Sequence, residues 1–431
     1  MNYRESIAYL EQEIGFASCP GLERISNLME KLGNPEKNLK MIHIAGTNGK
    51  GSATAMLCSI LQEGGYRAGG YTSPHLARYN ERFVINGQQI TGAAFADSIT
   101  KIRAACEQLV AEGKECPTLF EVITGAAFLY FANEQVDVLV LEVGLGGKYD
   151  ATNIIENPLL SIIMSISMDH TEFLGNTIAQ IAEEKAGIIK KNCPVVLYSQ
   201  DEVVYNIVKN KAHSLEAPFY CPKDARIKVS SQTIEGTVFD VACASFQYEN
   251  IFLPLAGQHQ IQNCITVLAA CEVLKKNGLS FTPQQIRAGI QKTAWAGRME
   301  ICKKEPMLIL DGAHNVDGIR RLAESIPIYF TKKKITLILG ILGDKEYEKM
   351  AELILPLAHR VIFSEPHNAR KLEAGALATA ISCGSIPCYI EPELEQAYQK
   401  ALEITEKDEL ILCCGSLYMI GALRSYILSF E

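Results

Sequence analysis

Two kinds of hydrophobic spacing alternate along the chain. Short uninterrupted apolar runs such as "KMIHIAG", "VDVLVLEVG" and "LLSIIMSIS" read as strands covered on both faces. Longer segments with helical spacing separate them, and "ATAMLCSILQEGG" follows the first run directly. The alternation continues to about residue 295 and predicts a parallel sheet covered by helices. Between roughly Pro194 and Leu255 the texture changes to the short pieces "RIKVSS", "TVFDVACA" and "NIFLPLAG", which predict a small antiparallel insertion before a helix at "QIQNCITVLAACEVLKK". After a break around Gln291 to Glu300 a second series begins with "PMLILDGAH", "KITLILGIL", "HRVIFSEP" and "LILCCGSLY", each followed by a helical pattern. These are the βα units of a second α/β domain, and the boundary is placed between residues 295 and 296.

Composition supports that division. A chain of 431 residues exceeds the size at which one core stops growing. With 48% hydrophobic and 21% charged residues it can fill two cores. A formal charge of -8 and the absence of Lys/Arg-dense stretches, the short run Lys332-Lys333-Lys334 apart, argue against a nucleic-acid partner. The opening "MNYRESIAYLEQEIG" has acidic residues where a signal peptide needs an apolar centre, and no apolar run is long enough to span a membrane. The expectation is a soluble cytoplasmic protein without a membrane partner. The 14 cysteines are scattered without a C-x-x-C pair, as buried free thiols would be.

The stretch Gly46-Thr47-Asn48-Gly49-Lys50-Gly51-Ser52 lies between an apolar strand and a helix, the context of a phosphate-binding loop. Glycines let backbone N–H groups turn inward, the helix N-terminus adds positive potential, Lys50 neutralises terminal phosphates and Ser52 can present its hydroxyl to Mg²⁺. The spacing is shorter than the common G-x-x-x-x-G-K-[ST], and a glycine separates lysine from serine. A glycine-rich turn with a solvated lysine is the bland alternative.

Glu142 ends another apolar strand, in "VLVLEVGLGGKYDATN", so it should face the crevice beyond the strand ends as a Mg²⁺ ligand or water holder, unless it merely caps a helix or forms an ion pair. His170 follows the strand "LLSIIMSIS" and is either a hydrogen-bonded structural histidine or a metal ligand. Lys185 sits among apolar neighbours in "IAQIAEEKAGIIKK", either snorkelling to the surface or desolvated beside phosphate.

Taken in order, "HIAGTNGKGS", "YTSPHLARYNERFVING", "LEVGLGGKYDATN", "MDHTEFLG", "IAEEKAGIIK", "LAGQHQIQN", "GRME", "LDGAHN" and "CGSLY" resemble the folylpolyglutamate synthase and dihydrofolate synthase family, relatives of the Mur ligases, along nearly the whole chain. The resemblance implies a P-loop parallel-sheet ATP-binding domain with a small antiparallel insertion, residues 1–295, and a smaller Rossmann-like C-terminal α/β domain, residues 296–431. It implies an ATP-dependent ligase that joins L-glutamate to dihydropteroate, to reduced folates or to both, through an acyl phosphate.

The resemblance also assigns roles. Gly46, Thr47, Asn48, Gly49, Lys50, Gly51 and Ser52 would hold ATP, with Asn263 near adenine, Arg298 on phosphate, and Asp311 and His314 reaching the nucleotide from the C-terminal domain. Ser52 and Glu142 match a first Mg²⁺ site; Ser73, Glu142 and His170 match a second. Lys185 matches a lysine carried as a carbamate, and Lys50, Lys185 and His314 are the implied catalytic residues. Arg82, Thr118, Phe120, Glu121 and Asp150 match positions around the pterin, although "FEVITGAAFLYF" by pattern alone is an apolar helix. Lys148, Cys264, Ala296 and the "SMDH" turn depart from the family pattern, and Lys148 matters most, because lysine and arginine clamp carboxylates differently. A monomer is expected. A Mur-type cell-wall ligase and a non-catalytic ATP-binding protein are the competing readings.

Overall fold

The computed structural model describes residues 1–14 and 21–429. Its first sheet has eight strands, β1 (Met41–Ala45), β2 (Ala68–Tyr71), β3 (Phe83–Ile85), β4 (Gln88–Gln89), β5 (Val138–Glu142), β6 (Leu160–Ile163), β7 (Val195–Leu197) and β8 (Phe219–Tyr220), in the order β4-β3-β2-β5-β1-β6-β7-β8. From β2 across to β8 neighbouring strands are parallel. Only β3 and β4, at one edge, are antiparallel. Every residue of β1, β5 and β6 is buried, which is why these strands read as unbroken apolar runs.

Helix Lys50–Glu63 follows β1 and packs closely on helix Pro283–Gln291. The contact needs glycine, because a Cβ on Gly289 would lie 2.5 Å from Ile60 Cα. Ser59 Oγ also donates to the Gly289 carbonyl at 2.6 Å.

The insertion is a three-stranded sheet of β9 (Arg226–Thr233), β10 (Gly236–Cys243) and β11 (Phe246–Leu253), ordered β11-β10-β9. Its connections, Ile234-Glu235 and Ala244-Ser245, are too short for anything but antiparallel pairing. The expected start near Pro194 is corrected. β7 and β8 lie there and continue the parallel sheet, but they are too short to carry a legible period.

Two compact units emerge from the contacts: Met1–Lys228, Phe239–Phe252 and Gln262–Thr293 form one, and Val229–Val238, Leu253–Ile261 and Ala294–Glu431 the other. The second holds a six-stranded sheet of β12 (Glu300–Lys304), β13 (Met307–Leu310), β14 (Ile335–Leu339), β15 (Arg360–Phe363), β16 (Cys388–Ile390) and β17 (Leu410–Cys414), ordered β12-β13-β17-β14-β15-β16. β13 to β16 are parallel, and β12 pairs antiparallel at the edge. The sequence series missed β12 and β16, whose residues are mostly charged or exposed, because an edge strand need not be apolar on both faces.

Helix Leu119–Asn133 of the first unit starts with a reciprocal cap: Glu121 N–H donates to Thr118 Oγ1, and Thr118 N–H donates to Glu121 Oε2 at 2.7 Å. The same carboxylate accepts Arg24 Nε–H at 3.0 Å and is buried. Removing Glu121 takes away the helix cap and leaves the half-buried Arg24 with the exposed Glu115, 3.2 Å away, in place of a buried partner. Glu121→Ala is therefore expected to cost about 3 kcal/mol of stability, read as a lowered urea midpoint.

The cysteines of the described residues are all free thiols, with Cys106, Cys264, Cys271, Cys413 and Cys414 buried. Among the described residues no helix is long and apolar enough to cross a membrane.

Candidate active site

The central strand β1 ends directly in the glycine loop. Register pairs Ile44 with Glu142, so the loop and the last residue of β5 emerge side by side. Gly46 has φ of +154° and a Cβ there would lie 2.7 Å from Met164 Cβ. Gly49, at φ of +85°, caps helix Lys50–Glu63, and its missing Cβ leaves room for Asn263, whose Oδ1 would otherwise be 2.6 Å away. The segment after β6 clamps the loop. Thr47 N–H donates to the Ser165 carbonyl at 2.7 Å. Thr47 Oγ1 donates to the Ser167 carbonyl and accepts from Ser167 N–H, both at 3.1 Å. Beyond this clamp the first turn of the helix presents backbone N–H groups that the helix itself cannot satisfy, including those of Gly51 and the buried Ser52.

Two lysines converge on this loop. Lys50 Nζ donates to the carbonyls of Gly46 and Thr47, both at 3.1 Å, and lies 3.9 Å from Glu142 Oε1. Lys185 Nζ donates to the same Gly46 carbonyl at 2.9 Å. Lys185 is 4% exposed, which decides against a snorkelling surface lysine. Burial, reinforced by the charge of Lys50, pushes its amine down to about 7 against the opposing pull of Asp169, Asp150 and Glu184. Glu142 is buried as well.

His170 has left-handed backbone, φ of +51°, and its partly exposed ring brings Nε2 to 3.9 Å from Asp169 Oδ1. Ser73 follows β2 and precedes a cis proline, Pro74.

A second group of predicted residues gathers around the buried Tyr71 at the end of β2. The Arg82 charge acts on the Tyr71 hydroxyl, and Arg82 Nε donates to His75 Nδ1 at 2.9 Å. Burial and the Arg82 charge push His75 down to about 3, leaving it neutral and able to accept that bond. The Phe120 ring lies 6.5 Å from Tyr71 and covers Gly144, where a Cβ would come within 2.4 Å of Phe120 Cζ. Asp150 closes the group by accepting from Leu145 N–H at 2.8 Å. Thr118 and Glu121, matched to the same pocket, flank Phe120 and form the helix cap and the Arg24 pair described above. Lys148 is exposed and lies over the Tyr149 ring at 4.7 Å.

The second unit carries its own cluster. Asp311 accepts from Met299 N–H and Ala313 N–H, both at 2.9 Å. Burial pushes its carboxyl up, opposed by Arg298 and by those two amides. Arg298 Nη1 donates to the Gly297 carbonyl at 3.1 Å and occupies the space a Cβ on Gly312 would need, 2.2 Å away. His314 Nδ1–H donates to the Gly312 carbonyl at 2.8 Å.

Comparison with known proteins shows the family. Residues 44–271 match the Mur ligase middle domain, and residues 297–417 match the Mur ligase glutamate ligase domain. The dihydrofolate synthase/folylpolyglutamate synthase of Bacillus subtilis is 36% identical, with 98% of both chains covered. The chain belongs to the folylpolyglutamate synthase and dihydrofolate synthase family. Among solved members of this family, the folylpolyglutamate synthase of Thermotoga maritima has a TM-score of 0.86 at 35% identity, covering 100% of this chain and 97% of that one. An Escherichia coli member in complex with DHPP and ADP has a TM-score of 0.89 at 28% identity, covering 100% and 98%.

Several residues of this family member are placed at the site by the fold and were missed in the sequence. Ser165 and Ser167 hold the loop; Asp169 acts electrostatically on Lys185; Tyr71 joins Arg82 to Phe120. Only Asp169 had a local signal, its position beside His170 at a strand end. Neither the serines nor Tyr71 stands out from an apolar strand end by pattern.

Proposed function

We propose that this family member binds ATP on the Gly46–Ser52 loop, transfers its γ-phosphoryl group to the carboxylate of dihydropteroate or a reduced folate, and joins L-glutamate to the activated acyl group as an amide. The observation that carries the reading is the convergence of Lys50 and Lys185 on the Gly46 carbonyl, with the Glu142 carboxylate beside them. A carboxylate is inert towards amines, whereas its mixed anhydride with phosphate is not. Positioning and charge neutralisation are what phosphoryl transfer demands of a protein.

In this reading Lys50 and the loop N–H groups hold the β- and γ-phosphates, and Asn263, packed against Gly49, lies on the adenine side. In the second unit, Arg298, Asp311 and His314 bind phosphate and nucleotide. The Ser52 hydroxyl and the buried Glu142 carboxylate are hard oxygen donors of the kind Mg²⁺ takes, and a buried carboxylate calls for a nearby positive charge. Ser73 and His170 would complete a second site around Glu142, His170 being its softest donor. Two Mg²⁺ ions held there would offset the charge of phosphate and carboxylate as they meet. The lowered amine of Lys185 supports its carriage as a carbamate, since only a neutral amine attacks carbon dioxide. Arg82, Phe120 and Asp150 are assigned to the pterin, the aromatic ring as a flat apolar wall and the carboxylate as an acceptor. All proposed residues lie on one chain, consistent with a monomer, and the free thiols suit the reducing cytoplasm.

Phosphate release by purified protein with ATP, Mg²⁺ and L-glutamate tests the reading, comparing 7,8-dihydropteroate with tetrahydrofolate and identifying the amide by mass. Turnover with both acceptors is expected. Silence with both, in folded protein that binds ATP, would overturn the reading.

A further inference from the structure

We propose that His43 is a positioning residue for the acceptor pocket: it holds the Thr152 hydroxyl so that its proton points at Asp150, which keeps that carboxylate a pure hydrogen-bond acceptor. The inference rests on the reading that Asp150 meets the pterin.

His43 lies in the middle of β1 and is fully buried, as is Thr152. The His43 ring meets Thr152 Oγ1 through Nε2 at 2.8 Å, and Thr152 Oγ1 lies 2.5 Å from Asp150 Oδ1. The directions follow from counting protons. Asp150 Oδ1 also accepts Thr152 N–H at 3.0 Å and Oδ2 accepts Leu145 N–H at 2.8 Å; burial pushes the carboxyl up, and these donors oppose that push and hold the ionised form, which has no proton to give. A contact as short as that between Thr152 and Asp150 needs one proton, and the threonine hydroxyl has only one. That hydroxyl therefore donates to Asp150 and must accept from His43, which fixes the imidazole as the Nε2–H tautomer.

Two further observations agree. His43 Nδ1 has no hydrogen-bond partner among the described residues, which a bare ring nitrogen tolerates better than a buried N–H would. Burial, helped by the charge of Lys190, pushes the imidazole down to about 3, so the ring has a single proton to place. With every neighbouring proton aimed at it, Asp150 can only accept. It therefore selects a ligand edge that bears N–H donors, such as the amino-pyrimidinone edge of a pterin. Without His43 the Thr152 hydroxyl loses the donor that orients it, its proton is free to turn away, and Asp150 keeps only its backbone N–H partners Thr152 and Leu145 in this group.

The experiment combines imidazole ¹⁵N spectra with kinetics. In the wild-type protein His43 is expected neutral, protonated at Nε2, through the range where an exposed histidine titrates. An Nδ1–H or cationic ring would overturn the proposal. Thr152→Val and His43→Leu are each expected to raise KM for dihydropteroate by ~10-fold, about one hydrogen bond, with KM for ATP unchanged. Thr152→Ser and His43→Gln, which keep the hydroxyl and a donor, should restore most of the loss. If His43→Leu does not fold, the Thr152 pair decides alone. Asp150→Asn separates the two ideas: an unchanged acceptor KM would refute the pocket assignment. An impaired Asp150→Asn beside unimpaired Thr152→Val, or equal rises in both KM values, would refute the positioning role alone.

Discussion

Lys50→Ala is expected to lower turnover by at least ~10²-fold, because no other group on the glycine loop supplies a mobile positive charge where the γ-phosphoryl negative charge develops. The fold should survive. Lys50 Nζ is held by loop carbonyls and by a loose 3.9 Å approach to Glu142, so its loss removes no packed core contact. Lys50→Arg should not restore activity fully, since a planar guanidinium cannot reproduce the compact ammonium between the Gly46 and Thr47 carbonyls. Single-turnover phosphate release with saturating ATP measures the effect on chemistry apart from binding. Near-normal turnover by Lys50→Ala would remove the loop lysine from the mechanism.

Lys185→Met is the second large effect, again about 10²-fold in turnover, since the anionic oxygens of the proposed carbamate cannot form. Lys185→Arg should be as inactive, because it keeps a charge but offers no neutral amine. In ¹³C-bicarbonate the wild-type protein should give a carbamate carbon resonance that both variants lack; its absence from active wild-type protein would sink the carbamate. The lowered amine also predicts a stability signature. With the folded value near 7 and the ordinary value at 10.5, the unfolded chain binds more protons between them. In buffer depleted of carbon dioxide, unfolding free energy should therefore rise with pH across that window relative to Lys185→Met. Below it the buried charge costs its full penalty. Paired urea titrations of the two proteins at several pH values measure this.

How much of the site was legible depends on how local its causes are. The Gly46–Ser52 loop could be read because a strand, glycines and a helix start are contiguous and each has a backbone reason. Glu142 could be placed because a charge ending an unbroken apolar run has nowhere to go but the end of the sheet. Thr118 and Glu121 carry a structural part that depends on a distant partner. Their spacing is that of a capping box, and the cap, together with Arg24 far off in sequence, is what the folded chain made of them.

By itself, the sequence determined the parallel α/β character of the two large sheets, the glycine loop between strand and helix, and the family, since strand burial, turn chemistry and motif order are written in adjacent residues. Tertiary structure alone decided three other matters: that Lys185 is buried against the Gly46 carbonyl, that Tyr71 brings Arg82 and Phe120 together, and that His43 reaches Asp150 through Thr152. Each joins residues from different elements, and the consequences of desolvation and of shared protons exist only once those elements have packed.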